Sequence, residues 1–347
     1  MKSILRSIGF TFILSVLSVL IWSGCNNSSS KKISIEHRIL PEAPDLAYYD
    51  AVFVGENHFS AQIYENELDL MKYYYSLGIR DFAFECSFGE ALFFQYYFES
   101  GDEECLEYLT RFPAGGRISY QNVERGNFYR SIYQWNSGLE DKITIHGFDI
   151  EYDSYGTGAA SIWFFILRKY DPIEGIPVIT AEGNAYNLID DFRNNWERYS
   201  ALSSEDMELF GEILVSIEQG ELSNSWNQKF SKLGNLKKSA LLREQFMALN
   251  FRSILRNTQG RKVLAIMGYF HSSLTGKTIC PLNERQFPYV FLDEPCMANV
   301  LKDEIKIASI VLRTTKNPEK WPYFIRIHGW KLAEPKKTRY KGNWPYS

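Results

Sequence analysis

Three histidines, His58, His146 and His271, and three carboxylates, Glu56, Glu85 and Asp149, stand at or just past the ends of short apolar runs in this 347-residue sequence. An imidazole titrates near neutrality, so it can take a proton from water while a neighbouring carboxylate orients it. His58 follows Glu56 by two residues, after Gly55, where a glycine lets the chain turn sharply or a ligand approach the backbone. Glu85 puts a charge at the end of an apolar strand, a position that demands hydration in a cleft or pairing, with Arg80 and Arg243 as candidate partners. His146 and Asp149 bracket Gly147-Phe148. Asp149 suits the orientation of a histidine or the binding of a substrate hydroxyl, and equally a turn or helix cap. His271, after Tyr269-Phe270, could protonate a leaving group, act as a second base, or be held by Ser272 or Ser273. Glu151 reads as a solvated loop carboxylate, and His37 and His328 have no comparable setting.

Helical spacing adds two further candidates. Arg243, Met247, Asn250 and Ile254 are separated by four, three and four residues, so they share one helix face. Two polar residues alternate there with two apolar ones. Arg243 either reaches inward to a carboxylate or substrate, or snorkels at the edge of the core.

The elements that must position these residues follow from four near-continuous apolar runs, at 51–55, 81–84, 142–145 and 262–268. Such runs mark strands buried on both faces, hence parallel strands covered by helices. Helical periodicity over 62–77, 91–99, 123–135 and 159–169 alternates with them, which predicts an α/β fold with a mostly parallel central sheet flanked by helices. In such sheets ligands bind beyond the carboxyl ends of the strands, where the polar residues above cluster. Residues 184–258 carry little strand signal and read as a helical insertion, with helices over 184–199, 204–217 and 238–256 separated by breaks at Gly220 and Gly234. An irregular stretch with Pro281 and Pro288 precedes a short helix around 297–304 and a last apolar run at 305–312.

The amino terminus reads differently. Lys2 and Arg6 precede an apolar run at 8–22 that ends in Ser23-Gly24-Cys25. This predicts an export signal over 1–24, resembling a bacterial lipoprotein signal in which Cys25 is lipidated, with an uncleaved anchor as the alternative. Residues 25–37 would be a flexible linker, 38–330 a single domain and 331–347 a basic surface tail. The protein is then expected in the bacterial cell envelope, outside the cytoplasm, tethered to a bilayer through Cys25. With 38 basic and 42 acidic residues the net charge is −4, and no basic tract concentrates it, which argues against nucleic acid as partner. Cys86, Cys105, Cys280 and Cys296 show no CxxC spacing, and a disulfide between Cys280 and Cys296 is one pairing open to an exported chain.

Taken in order, Gly55-Glu56-Asn57-His58, Glu85, Gly147-Phe148-Asp149, the segment REQFMALN at 243–250 and His271 resemble the erythromycin esterase-like proteins, within a wider set that includes haem-uptake and Tiki-type α/β proteins. The resemblance runs from about residue 50 to 315. It implies a hydrolase of an ester or related acyl bond with no cofactor, in which His58 activates water and Glu56 and Glu85 orient it. Arg243 and His271 would then serve the carbonyl oxygen or leaving group, with Asp149, His146 and Asn250 in support. Phe59 stands where that family carries glycine, and the helical segment is short for it, so no macrolide-sized substrate is implied. Two alternatives stay open: a zinc hydrolase using His58, Glu85, His146 and His271, and a lipid-anchored binding protein for haem or an envelope ligand.

Overall fold

The structure, a computed structural model, describes residues 46–56, 61–111, 120–151, 157–170, 185–228, 233–275, 277–281 and 289–312. His58, Cys25, the signal and linker at 1–37, and the tail at 331–347 lie outside the described residues. Among the described residues no helix is long and apolar enough to cross a membrane.

The chain forms an α/β fold whose central sheet has five parallel strands. These are β1 (Ala51–Glu56), β2 (Asp81–Phe84), β3 (Thr144–Gly147), β4 (Val263–Gly268) and β7 (Ile307–Val311), in the spatial order β3-β2-β4-β1-β7. Every residue of β1 and β4 is buried, as expected for strands with helices on both faces. Between β1 and β2 lies α1 (Ala61–Ser76); between β2 and β3 lie α2 (Phe88–Ser100), α3 (Glu103–Arg111) and α4 (Tyr120–Ser137). After β3 come α5 (Thr157–Phe165), a 3-10 turn (Leu167–Lys169), α6 (Ala185–Asn195), a second 3-10 turn (Trp196–Ala201), α7 (Ser204–Gln228) and α8 (Leu233–Asn257). The region 184–258 is thus helical, but differently divided from the sequence reading. Gly220 lies inside α7 and Gly234 in the first turn of α8.

Gly220 has a packing reason instead. A Cβ there would sit 1.8 Å from the Glu151 carbonyl oxygen, so the glycine is a notch that lets the segment after β3 lie against α7. The stretch read as irregular also holds order: β5 (Lys277–Pro281) and β6 (Tyr289–Pro295) form an antiparallel ribbon. The short helix expected around 297–304 follows as α9 (Met297–Leu301). Prolines are tolerated at strand ends and edges, which is why Pro281 does not prevent the pairing.

One core cluster fixes the element that matters most for the site. Met247, Ala248, Phe251 and Ile254 of α8 pack on Phe53, Ala265 and Met267 of the sheet, and on Phe148. Phe251 meets Phe53 edge-to-face at 4.9 Å and Phe148 at 5.9 Å. Each such fully buried side chain contributes about 1.5–3 kcal/mol. That burial clamps α8 across the sheet and leaves Arg243 and Glu244, further toward the start of the helix, at the carboxyl edge of the strands.

Candidate functional site

The strand ends carry the backbone into the site before any side chain is considered. Beyond β2, the Glu85 N–H donates to the Ile266 carbonyl at 3.1 Å, and the Asp149 N–H donates to the Cys86 carbonyl at 2.9 Å. Beyond β4 the chain folds back tightly, with the His271 N–H on the Gly268 carbonyl at 3.0 Å. Gly55 makes room for that turn, since a Cβ on it would lie 2.8 Å from the Tyr269 Cα and closer still to the Ser272 hydroxyl.

Glu85, Asp149, Arg243 and His271 meet at this edge. Arg243 presents its guanidinium fork to Asp149, Nε to Oδ1 at 2.9 Å and Nη2 to Oδ2 at 2.6 Å. Nη2 also donates to Glu85 Oε1 at 2.5 Å, and the second Glu85 oxygen accepts the Gly268 N–H at 2.5 Å. One planar cation therefore neutralises two carboxylates from different strands, a geometry that lysine does not reproduce. Asn250, two turns further along α8, donates to the Phe148 carbonyl at 3.2 Å and exchanges two bonds with Gln219 of α7, at 2.9 and 3.0 Å. It braces the residue before Asp149 against the helical insertion.

His271 completes the cluster. Its Nδ1 lies 2.8 Å from Glu244 Oε1, and its Nε2 lies 3.4 Å from both Glu85 Oε1 and Arg243 Nη1. The other Glu244 oxygen accepts the Met297 N–H at 2.7 Å. Burial alone would lower the pKa of this imidazole, but the Glu244 and Glu85 charges outweigh it and hold it above the ordinary 6.5. The histidine is held by a carboxylate of α8 rather than by a neighbouring serine.

His146 is placed elsewhere. Its Nε2 faces Asp81 Oδ1, 2.9 Å away at the start of β2, and the same oxygen accepts from Arg261 at 3.2 Å. Glu56 is buried at the end of β1, and its charge, after burial itself, helps push the buried Glu67 of α1 well above the usual carboxylate range. Among the described residues no three His, Cys, Asp or Glu side chains gather as a metal site.

Four carboxylates of this region escaped the sequence reading. Glu151, read as solvated, is 3% exposed, with its pKa raised to about 8 by burial and by the charges of Glu90 and Asp149. Glu90 on α2 is raised to about 7, mainly by burial. Glu67 and Glu244 are the other two. Glu244 could have been found, because it precedes Met247, Ala248 and Phe251 by three, four and seven residues, the spacing of the buried face of α8. Nothing local marks Glu151 as buried. Cys296 carries a free thiol that donates to the Ser273 carbonyl at 3.1 Å, so the Cys280–Cys296 disulfide is not formed. Cys86, beside Glu85, is a free buried thiol too, and burial followed by the Glu90 and Asp149 charges raises its pKa well above the ordinary thiol value.

Fold and site together define an α/β protein with a buried carboxylate–arginine–histidine cluster at the carboxyl edge of a parallel sheet. No family model and no curated protein sequence matches the chain. Several solved structures match the chain, all with TM-scores below 0.5 and identities of 12–17%. A Bacillus cereus protein matches with a TM-score of 0.47 and 16% identity over 76% of this chain, which covers 65% of that protein's length. An erythromycin esterase variant in an open conformation matches with a TM-score of 0.46 and 12% identity, over 81% of this chain and 76% of that one. A haem-bound ChaN protein of Campylobacter jejuni matches with a TM-score of 0.35 and 17% identity, over 82% and 88%. The set is functionally diverse and singles out no family.

Proposed function

We propose that the protein is a hydrolase of an ester or related acyl bond, in which His58 activates water for attack on the acyl carbon. The observation that carries this reading is the pairing of His271 with Glu244 beside the Glu85–Arg243–Asp149 cluster. A buried imidazole whose second nitrogen faces the cluster is suited to proton transfer at a reacting oxygen. Arg243 spends its fork on Asp149 and Glu85, so its part is to hold the two carboxylates in place rather than to bind a carbonyl oxygen. Glu85, bonded at both oxygens, is a fixed negative wall to the site. The erythromycin esterase-like resemblance of the GENH segment at 55–58 assigns the base to His58.

The test is a screen of small acyl esters on the purified protein, with and without a strong chelator. A positioned base contributes about 10²- to 10⁴-fold to rate, so His58→Ala is expected to lose activity on that scale while melting normally. Full activity in that variant would remove His58 from the mechanism. Activity abolished by chelator and restored by zinc would transfer the site to metal chemistry, and a Soret band on the purified protein would favour haem binding.

We further propose that the mature protein is held outside the cytoplasm, at a membrane of the bacterial cell envelope, by a lipid on Cys25, which follows the apolar run at 8–22. Cys25→Ser is expected to leave the precursor unprocessed and to abolish incorporation of radioactive palmitate in growing cells. Equal labelling of the wild type and the serine variant would refute the anchor.

A further inference from the structure

Glu244 has no place in the residue set assembled from the sequence, yet it is among the most constrained side chains at the site. It is 3% exposed, and both its oxygens are used, one on His271 Nδ1 and one on the Met297 N–H at the start of α9. The backbone of the same two elements is tied as well, since the Ala298 N–H donates to the His271 carbonyl at 3.0 Å. The residue is therefore held at both its ring and its backbone carbonyl, and the ring cannot turn without breaking the bond to Glu244.

We propose that Glu244 is a positioning residue that keeps the proton of His271 on Nδ1 in the neutral ring, so that Nε2 is the nitrogen that gives and receives protons in the reaction. This rests on the hydrolase reading above and extends it to the leaving group. A carboxylate accepts but does not donate, so the atom facing it must carry hydrogen. Nε2 is left facing Glu85 and Arg243, and when protonated it points a hydrogen into the site. The groups that face the ring are Glu244 and Arg243 from α8 and Glu85 from the end of β2. Two carboxylates against one guanidinium favour the charged ring, which is the form a proton donor needs before the reaction.

Water adds to the acyl carbon while one of its protons passes to His58. The bond from that carbon to the alcohol oxygen then breaks, and the Nε2 proton of His271 passes to the departing oxygen. The products are a carboxylic acid and an alcohol. The proton on His58 leaves to solvent, and one from solvent restores His271. A donor of this kind matters most when the departing oxygen is strongly basic, so the site is built for esters of unactivated aliphatic alcohols. A p-nitrophenolate leaves without a proton and should depend on the donor far less.

The experiment compares the wild type with Glu244→Gln on a pair of esters that share an acyl group, one of an alkyl alcohol and one of p-nitrophenol. Glu244→Gln is expected to lose about 10²-fold in kcat on the alkyl ester. The loss on the p-nitrophenyl ester should be at least roughly tenfold smaller, a split that mere loosening of the fold would not produce. Equal losses on both would overturn the proposal. Independently of any activity, ¹⁵N NMR of the histidine rings in the wild type, assigned with His271→Gln, reads the tautomer directly. Nδ1–H in the neutral ring is expected. Nε2–H would overturn the proposal, even if no ester is turned over and the hydrolase reading falls. In Glu244→Gln the His271 titration should move to lower pH, and an unmoved titration would count equally against it.

Discussion

Arg243→Met is expected to lower the free energy of unfolding by about 3–5 kcal/mol, the usual consequence of leaving a buried charge without its partner. Here two charges lose it together. Glu85 and Asp149 are 9% and 5% exposed at the side chain, and Arg243 is the cation that bridges them. Glu85 would retain the Gly268 N–H and Asp149 the Ile150 N–H, which keeps the effect from being larger. Arg243→Lys should recover only part of the loss, because an ammonium cannot span both carboxylates with parallel bonds. Urea unfolding followed by circular dichroism gives the values. A methionine variant within about 1 kcal/mol of the wild type would show that the cluster is not a buried one. Activity should fall with Arg243→Met as well, and Arg243→Met combined with Glu85→Gln should unfold later than the single variant, since one orphaned charge has been removed.

Glu151 yields the second large effect, and its sign is opposite to that of a salt-bridged carboxylate. Burial raises its pKa from 4.5 to about 8, so the folded state binds a proton that the unfolded chain releases. Its contribution to stability is complete below about pH 4.5 and disappears as pH rises through about 8. At 1.36 kcal/mol per pH unit this amounts to roughly 4 kcal/mol between pH 5 and pH 9. Glu90 shares the burial and lies close enough to couple, so part of the change belongs to the pair. Glu151→Gln has no proton to lose. The difference in unfolding free energy between this variant and the wild type should therefore shift by roughly 2–4 kcal/mol in favour of glutamine from pH 5 to pH 9. Parallel stability curves for the two proteins would show that Glu151 ionises freely in the folded state.

Both effects arise where local sequence and tertiary setting part company. Glu151 sits in the segment DIEYD at 149–153, which looks like any acidic loop. Its burial comes from Gly220 and Ser216 of α7, about seventy positions away, which accept the backbone of residue 151 against the helix. Glu85, by contrast, was legible as a problem: a charge closing an apolar strand needs a partner, and Arg243 was among the few candidates. The stripe Arg243–Met247–Asn250–Ile254 was legible too, because helical spacing assigns residues to a face whatever that face meets. What it met was not. Helices that run through Gly220 and Gly234 show the same limit, since a glycine chosen for close packing and a glycine chosen for a break look alike in a sequence.

The sequence by itself determined the type of the main elements and where their polar residues fall. Short uniformly apolar runs between helical segments read as strands buried on both faces, and a charge at the end of such a run, as at Glu56 and Glu85, falls at the carboxyl edge of the sheet. The order of the strands was decided only in three dimensions. β4, formed by residues more than 170 positions after β2, inserts between β2 and β1. That insertion delivers the Gly268 N–H to Glu85 and carries His271 to the same edge. Strand order depends on the summed burial of side chains far apart in the chain, such as Phe53 and Met267 beneath Phe251. No local pattern of residues encodes that sum, so the partners of Glu85, and with them the site, belong to the tertiary structure.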